Sequence, residues 1–214
     1  MIFVLTGSSG SGKSTVARSL TVDGLEIHDS DEDGVPSDAN IAWRQQGIER
    51  WRQRAAELDD HDLLLTGQSP LGEVLAAPSA PRLDGIAVAL LEVANRSRFI
   101  RLERRDPGKW SRQAKRDFVG WARWHHAHAA DPAYAPEVIT DGAWPAMQWN
   151  RWANWKAGDP RWRTEIVNTT DRTVEQCADI LDDWIAHVRT DRDWPLRQGW
   201  DSPGDRRRDT CFPC

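Results

Sequence analysis

Eight consecutive residues near the start of the chain, Gly7-Ser8-Ser9-Gly10-Ser11-Gly12-Lys13-Ser14, satisfy the spacing G-x-x-x-x-G-K-[ST]. Glycines at this spacing let the backbone curl so that successive N–H groups turn inward, the arrangement that cradles phosphate oxygens. The residues from Gly7 to Thr15 are therefore expected to wrap a nucleotide's phosphates. Lys13 would bridge its β- and γ-phosphates and the Ser14 hydroxyl would ligate Mg²⁺, which makes ATP and Mg²⁺ the expected cofactors. Of the 28 basic residues only Lys13, Lys109, Lys115 and Lys156 are lysines. Where arginine is the default cation, a lysine in this loop is kept for its own chemistry. A second constellation is His28-Asp29-Ser30-Asp31-Glu32-Asp33-Gly34. Carboxylates two apart on an extended segment point to opposite sides, so they can divide two tasks. Asp29 would serve the metal, and Asp31 would orient or deprotonate an acceptor hydroxyl.

Such residues need a strand before the loop and a helix after it. Residues 2–6 are a continuous apolar run, suited to a parallel strand buried on both faces. Val16, Ala17 and Leu20 mark a helix starting near Gly12. Residues 25–28, 62–66, 86–93 and 165–167 read as four further short strands, and Gly67 ends the third strand of the chain. Ile41, Ile48, Trp51, Ala55 and Leu58 recur at helical spacing over residues 39–58. Asn95 is expected to cap a helix running through Arg105. Thr173 and Gln176 form a capping-box pattern before a helix that buries Cys177, Leu181, Trp184, Ile185 and Val188. Strands alternating with helices predict an α/β fold with a five-stranded parallel sheet between two helical layers. The carboxyl ends of its strands open on one crevice, which brings Asp29 and Asp31 towards the phosphate loop.

Two regions break the alternation. Residues 106–163 hold eight of the 13 tryptophans, and Ala114, Phe118, Trp121, His125 and His128 fall on one helical stripe. Trp149, Trp152 and Trp155 suggest a second stripe. This segment is predicted to be a helical insertion that closes as a lid, with Arg104 and Arg112 near its start contacting phosphate. Closure would let Arg112 neutralise the transferring group. Arg44 and Arg50, on the helix after the acidic turn, are expected to bind the acceptor. His125, His126 and His128 do not converge on one ion from a helix, so no metal is assigned to them. Residues 190–214 lack apolar periodicity and are read as a poorly ordered tail behind a domain spanning 1–189. Cys211-Phe212-Pro213-Cys214, inside that tail, is half a zinc or redox motif with no second pair.

Composition narrows the partners. The chain has 214 residues, 39% hydrophobic and 29% charged, with a mean hydropathy of -0.66. No run approaches the ~18 apolar residues of a membrane span, and the first residues lack the pattern of a signal peptide. A net charge of -5 disfavours a nucleic-acid partner. Three cysteines suit a reducing, cytoplasmic setting. No N-K-x-D base reader of a GTPase is present. The third strand runs into Thr66-Gly67-Gln68-Ser69 instead of the Asp-Glu of a motor ATPase.

With these motifs the chain resembles the shikimate and gluconate kinase group of the P-loop NTPase superfamily. The resemblance covers residues 1–105 and 164–188. It rests on the phosphate loop and on Asp29-Ser30-Asp31 after the second strand, where the group keeps one Asp near magnesium and the next on the acceptor. It implies that Gly67 and Gln68 stand where the group has a glycine-rich substrate loop. Residues 168–172, with Thr170 and Arg172, would stand where it holds adenine. The implied activity is transfer of a phosphoryl group from ATP to a hydroxyl of a small metabolite. A nucleoside or nucleotide kinase, a nucleic-acid end kinase and a non-catalytic ATP-binding regulator are the alternatives.

Overall fold

The computed structural model describes residues 1–58, 61–191, 194 and 196–201. The apolar runs form strands at their expected places: β1 (Ile2–Thr6), β2 (Leu25–Asp29), β3 (Asp62–Thr66), β4 (Gly85–Glu92) and β5 (Thr164–Asn168). They pair in the order β2-β3-β1-β4-β5, all parallel. β1, with every residue buried, lies at the centre because it is apolar on both faces. Its side chains alternate between two cores. Ile2 and Val4 join Leu63, Leu65, Ile86 and Val88 on one face, and Phe3 and Leu5 join Leu64, Ala87, Ala89 and Leu91 on the other.

Helices cover both faces, giving the three-layer α/β arrangement. α1 (Lys13–Ala17) and α7 (Val174–Thr190) pack on the Phe3 face. α2 (Ile41–Ala56) and α3 (Leu71–Ala76) pack on the Ile2 face. α4 (Asn95–Arg105) carries the chain away from β4, and α5 (Arg112–Ala130) and the short α6 (Glu137–Thr140) follow. The capping box at Thr173 and Gln176 is formed in both directions. No helix among the described residues is long and apolar enough to cross a membrane.

Several elements depart from expectation. α1 is only five residues long, and Leu20 lies in the turn after it. Asn95 is the first residue of α4 and Ala94 its N-cap, so Asn95 does not cap it. α3 left no periodic signal because it is under two turns long and all six residues are buried, which leaves no polar face. Trp149, Trp152 and Trp155 do not share a helix. A single 3₁₀ turn spans Trp149–Arg151, and the rest of that stretch is irregular chain. The sheet gains a sixth strand, β6 (Leu196–Arg197), antiparallel to β4 through Gly85↔Arg197 and Ile86↔Leu196. A tail beginning at residue 190 is thereby corrected at its start. Trp194 and Trp200 are buried, and Arg151 pairs with Asp201 at 3.3 Å. Large indoles placed in a polar segment satisfied no period yet supplied enough apolar area to dock it. The remainder of the expected tail, with Cys211 and Cys214, lies outside the described residues.

The insertion divides into two parts. From Trp121 onward most of its tryptophans belong to the core on the Ile2 face, while Tyr134 is exposed. Trp124, Trp152, Trp155 and Trp162 are buried with Leu71, Val74 and Leu75 of α3. His128 stacks on Trp124 at 4.7 Å and meets the edges of Trp152 and Trp162 at 5.7 and 5.1 Å. Two of the buried indole N–H groups are spent locally: Trp152 donates to the Gly72 carbonyl and Trp162 to that of His128, each at 2.9 Å. Gly72 is glycine because a Cβ there would come within 2.9 Å of His128 Nε2 and 3.0 Å of Trp152. Before Trp121 the insertion is polar and largely exposed.

Candidate functional site

The carboxyl ends of β1, β2 and β3 and the starts of α1 and α7 surround a cleft of about 930 Å³. The phosphate loop forms its floor, with Ser9 through Val16 all lining it. Gly7 adopts φ 146°, and a Cβ there would stand 2.5 Å from the Leu91 carbonyl, so no larger residue fits where the loop leaves β1. The loop is braced from outside. Arg98, buried in α4, donates to the Ser9 carbonyl at 2.7 Å. Arg101 donates to the Ser11 carbonyl at 3.2 Å and to the Thr169 carbonyl at 2.6 Å. Thr169 Oγ1 donates to Ser11 as well, at 3.0 Å. Guanidinium and hydroxyl groups on the outer carbonyls leave the inner N–H groups for a ligand. Sequence reasoning did not assign Arg98, Arg101 or Thr169 to the loop. The available signal was two arginines three apart at the start of the helix after β4.

Lys13 Nζ donates to the Gly7 carbonyl at 2.7 Å. Burial pushes its pKa down to about 8, against the pull of Asp29 and Asp31. An anionic phosphate beside it would restore the charge. Ser14 Oγ and Thr66 Oγ1 each donate to Asp29 Oδ2 at 2.7 Å, and the Asp31 amide donates to Asp29 Oδ1 at 3.1 Å. Burial alone would raise the Asp29 carboxyl, but these hydrogen bonds outweigh it and hold its pKa below the ordinary value. Asp31 is exposed and lines the cleft with Gly67 and Gln68. The Ser30 amide donates to the Thr66 carbonyl at 2.8 Å, which fastens the acidic turn to the end of β3. A hydroxyl and a carboxylate in contact are hard oxygen donors of the kind that Mg²⁺ takes together with phosphate oxygens. Ser14 and Asp29 therefore fit that ion.

The cleft is polarised. On the β4–β5 side it is lined by Arg101, Arg104, Arg105, Lys109 and Arg172, with Asp106 the one carboxylate. On the β2–β3 side it is lined by Asp29, Asp31, Gly67 and Gln68. Trp110 and Phe118 close the top, in edge contact at 5.1 Å, and Val174 and Cys177 of α7 give an apolar wall. Lys109 and Arg105 sit over the Trp110 ring at 5.0 and 5.9 Å.

The structure does not bring every expected residue to this cleft. Arg112 is exposed at the first residue of α5 and is not part of the lining. Arg50 is exposed on α2 and also away from it. Ser8 turns from the cleft and donates to the Phe118 carbonyl at 2.7 Å. Thr170 accepts from the Ala94 amide at 2.9 Å and lines a separate cavity of about 380 Å³ with Glu92, Arg123 and His126. Arg44 grips Glu73 with two hydrogen bonds, at 3.0 and 2.6 Å, and lies over the Trp121 ring at 5.0 Å. His126 pairs with Glu92 at 2.8 Å. His125 and His128 are buried; burial pushes their pKa values down to about 3 and about 4, so both rings are neutral at pH 7.

No family model matches the chain, and no curated protein sequence matches it. Solved structures do. A sugar kinase from Janibacter sp. superposes with a TM-score of 0.52 at 14% identity, over 86% of this chain and 94% of that one. Shikimate kinase from Acinetobacter baumannii, in complex with shikimate, gives 0.51 at 15%, over 89% and 95%. A gluconokinase from Sinorhizobium meliloti gives 0.51 at 14%, over 86% and 94%. The chain has the fold of the P-loop small-molecule kinases.

Proposed function

We propose that the chain is an ATP- and Mg²⁺-dependent kinase that moves the γ-phosphoryl group of ATP to a hydroxyl of a small molecule. The observation that carries this reading is the Ser14–Asp29–Thr66 knot beside Lys13, with Asp31 open to the same cleft. A regulator that only binds ATP has no use for a second carboxylate there. The loop N–H groups and Lys13 take β- and γ-phosphate oxygens, while Arg104, Arg105 and Lys109 face the triphosphate from the opposite wall. Val174 and Cys177 give the nucleobase an apolar surface. Ser14 and Asp29 would hold Mg²⁺, which when bound would supply neutralisation of phosphate charge. The acceptor oxygen forms its bond to the γ-phosphorus as the bond to the β,γ-bridging oxygen breaks, and ADP leaves with that electron pair. The acceptor's proton passes to the Asp31 carboxylate and then to solvent.

Two variants test this assignment. Lys13→Ala should remain folded and lose phosphoryl transfer, because its side chain faces the cleft. Asp31→Asn should lower kcat by about 100-fold or more, the scale of a lost positioned base, and leave ATP affinity nearly unchanged. Wild-type turnover by folded Lys13→Ala defeats the kinase reading. Weakened ATP binding at unchanged kcat in Asp31→Asn means that Asp29 and Asp31 hold the opposite roles.

A further inference from the structure

The second cavity, of about 380 Å³, opens where β4 and β5 end, between the start of α4 and the part of α5 that carries Arg123 and His126. It lies back to back with the nucleotide cleft: Ser8 and Thr170 line it, whereas their neighbours Ser9 and Thr169 line the cleft. Several of its groups suit an anion. No side chain caps the N-terminus of the 11-residue α4, and Ala94 and Asn95 of that end line the cavity. The N–H groups of a first helical turn, with the positive end of the dipole, are a ready anion site. Arg98 lines the cavity at 2% exposure, and its Nε–H has no partner among the described residues, although Nη1 is held by the Ser9 carbonyl at 2.7 Å. A buried donor left without a partner carries a desolvation penalty that a bound acceptor removes. Arg123 also lines the cavity, is exposed, and forms no ion pair among the described residues. Thr170 Oγ1 accepts from the Ala94 amide at 2.9 Å and keeps its own proton to donate.

One group opposes a bare anion. Glu92, two residues before Ala94, brings a carboxylate to the same cavity, 2.8 Å from His126 Nδ1. Phosphate would set like charge against it, whereas an ammonium group complements it. Leu90, Leu91, Val93 and Ala122 add an apolar wall. We infer that this cavity binds a free α-amino acid with a small apolar side chain. Its carboxylate lies on the first turn of α4 with Arg98 and Arg123, its ammonium beside Glu92, and its side chain on the apolar wall. The close spacing of the two charges in such a molecule matches the closeness of Glu92 to the start of α4. The site itself stands without the kinase reading; its effect on nucleotide rests on that reading. An amino acid that fixes Arg98 also fixes the hold of Nη1 on Ser9, so occupancy tightens ATP binding, and ATP tightens amino-acid binding by the same factor.

The test is calorimetric titration of the full chain with L-alanine, L-valine and L-leucine, with acetate, methylammonium and inorganic phosphate as controls. At least one of the three amino acids should bind with a Kd below about 1 mM, and at least about tenfold more tightly than any control. Arg123→Ala and Glu92→Gln should each weaken that binding about tenfold or more, the scale of one lost charged partner. In the wild-type chain, hydrogen exchange should slow at residues 92–98 and 122–126, a readout that needs no variant to fold. A saturating amino acid should lower the Kd for ATP and Mg²⁺ about fivefold. Absence of binding by all three amino acids overturns the inference. So does phosphate or acetate binding as tightly as the best of them, which makes the cavity a plain anion site. Displacement by ATP, or full binding by the folded variants, places the amino acid elsewhere and overturns it too. An unchanged ATP affinity at saturation overturns the link to the phosphate loop. Failure of ATP to bind the chain at all, with amino-acid binding intact, defeats the kinase reading and leaves the site standing.

Discussion

Residues 104–118 and residues 121–162 are neighbours in the chain, and both mix arginine with tryptophan. The first stretch runs along the mouth of the cleft. Its arginines and lysines are exposed or half-buried, Trp110 and Phe118 touch the cleft, and Ser8 is its hydrogen-bonded tie to the phosphate loop. The second is folded into the sheet's own core, with four indoles buried against α3 and around His128. A tryptophan count therefore does not distinguish a part that faces ligand from a part that holds the fold. What separates the two is what each ring packs on. The second stretch cannot swing over the cleft as a unit without tearing open the core on the Ile2 face. Any closure belongs to the first stretch alone.

The contrast is most exposed to failure at Trp152. Trp152→Ala should cost about 3–5 kcal/mol in denaturant unfolding, the range for emptying a buried aromatic site. A loss below about 1 kcal/mol would mean that the second stretch is a detachable layer. Acid comes next. An unfolded histidine titrates near 6.5, whereas His125 and His128 titrate at about 3 and about 4 in the folded chain, chiefly because burial disfavours the charged ring. Near His125 the cations Lys13 and Arg44 add to that effect; near His128 the Tyr134 carbonyl and Asp131 oppose it. Between those values the unfolded chain binds protons that the folded chain refuses. This stabilisation is fully present above about pH 6.5 and is lost as the pH falls towards 4. The Tm should drop by about 5 °C or more from pH 7 to pH 5, and a flat profile would show that both rings are solvated.

A smaller effect separates the indoles. Addition of ATP and Mg²⁺ should change the fluorescence of Trp110 and leave the buried indoles nearly silent. Trp110→Phe should then remove most of the saturable signal; full retention would show the second stretch moving. Smallest is the difference between two arginines. Arg104→Ala, at the cleft wall, should raise KM for ATP by about tenfold, the scale of one charge-assisted hydrogen bond. Arg112→Ala should change it by less than about twofold, and equal losses from the two would bring the start of α5 into the site.

The sheet was legible because β1, β3 and β4 each carry a continuous apolar run that ends at a polar residue or a glycine-containing turn. The phosphate loop and the Asp29–Asp31 pair were legible because their spacing is local. Arg98, Arg101 and Thr169 were not, since the bonds that tie them to the loop and to each other run to backbone carbonyls 68 to 158 residues away, which no residue type advertises. Arg44 was placed beside the acceptor from its position on the helix after the acidic turn; its partner Glu73 lies in a short helix whose six residues are all buried, so no period announced the pair. Arg112 was placed on the phosphates from its position at the start of the insertion, a topological guess that says nothing of which way a helix presents its first turn. Trp194 and Trp200 dock through single large rings, and single rings make no pattern.

Arg98 and Arg101 hold the carbonyls of the phosphate loop through contacts that the chain makes by itself. A loop held in that way is a mould and not a snare. Bonds of this kind restrict its dihedral angles independently of a ligand, which lowers the ordering entropy that phosphate binding has to cost. Association is then governed by how often an incoming triphosphate meets the mouth of the cleft in the right orientation. The arginines and lysine along the β4–β5 wall draw it there from a distance that shrinks as salt is added.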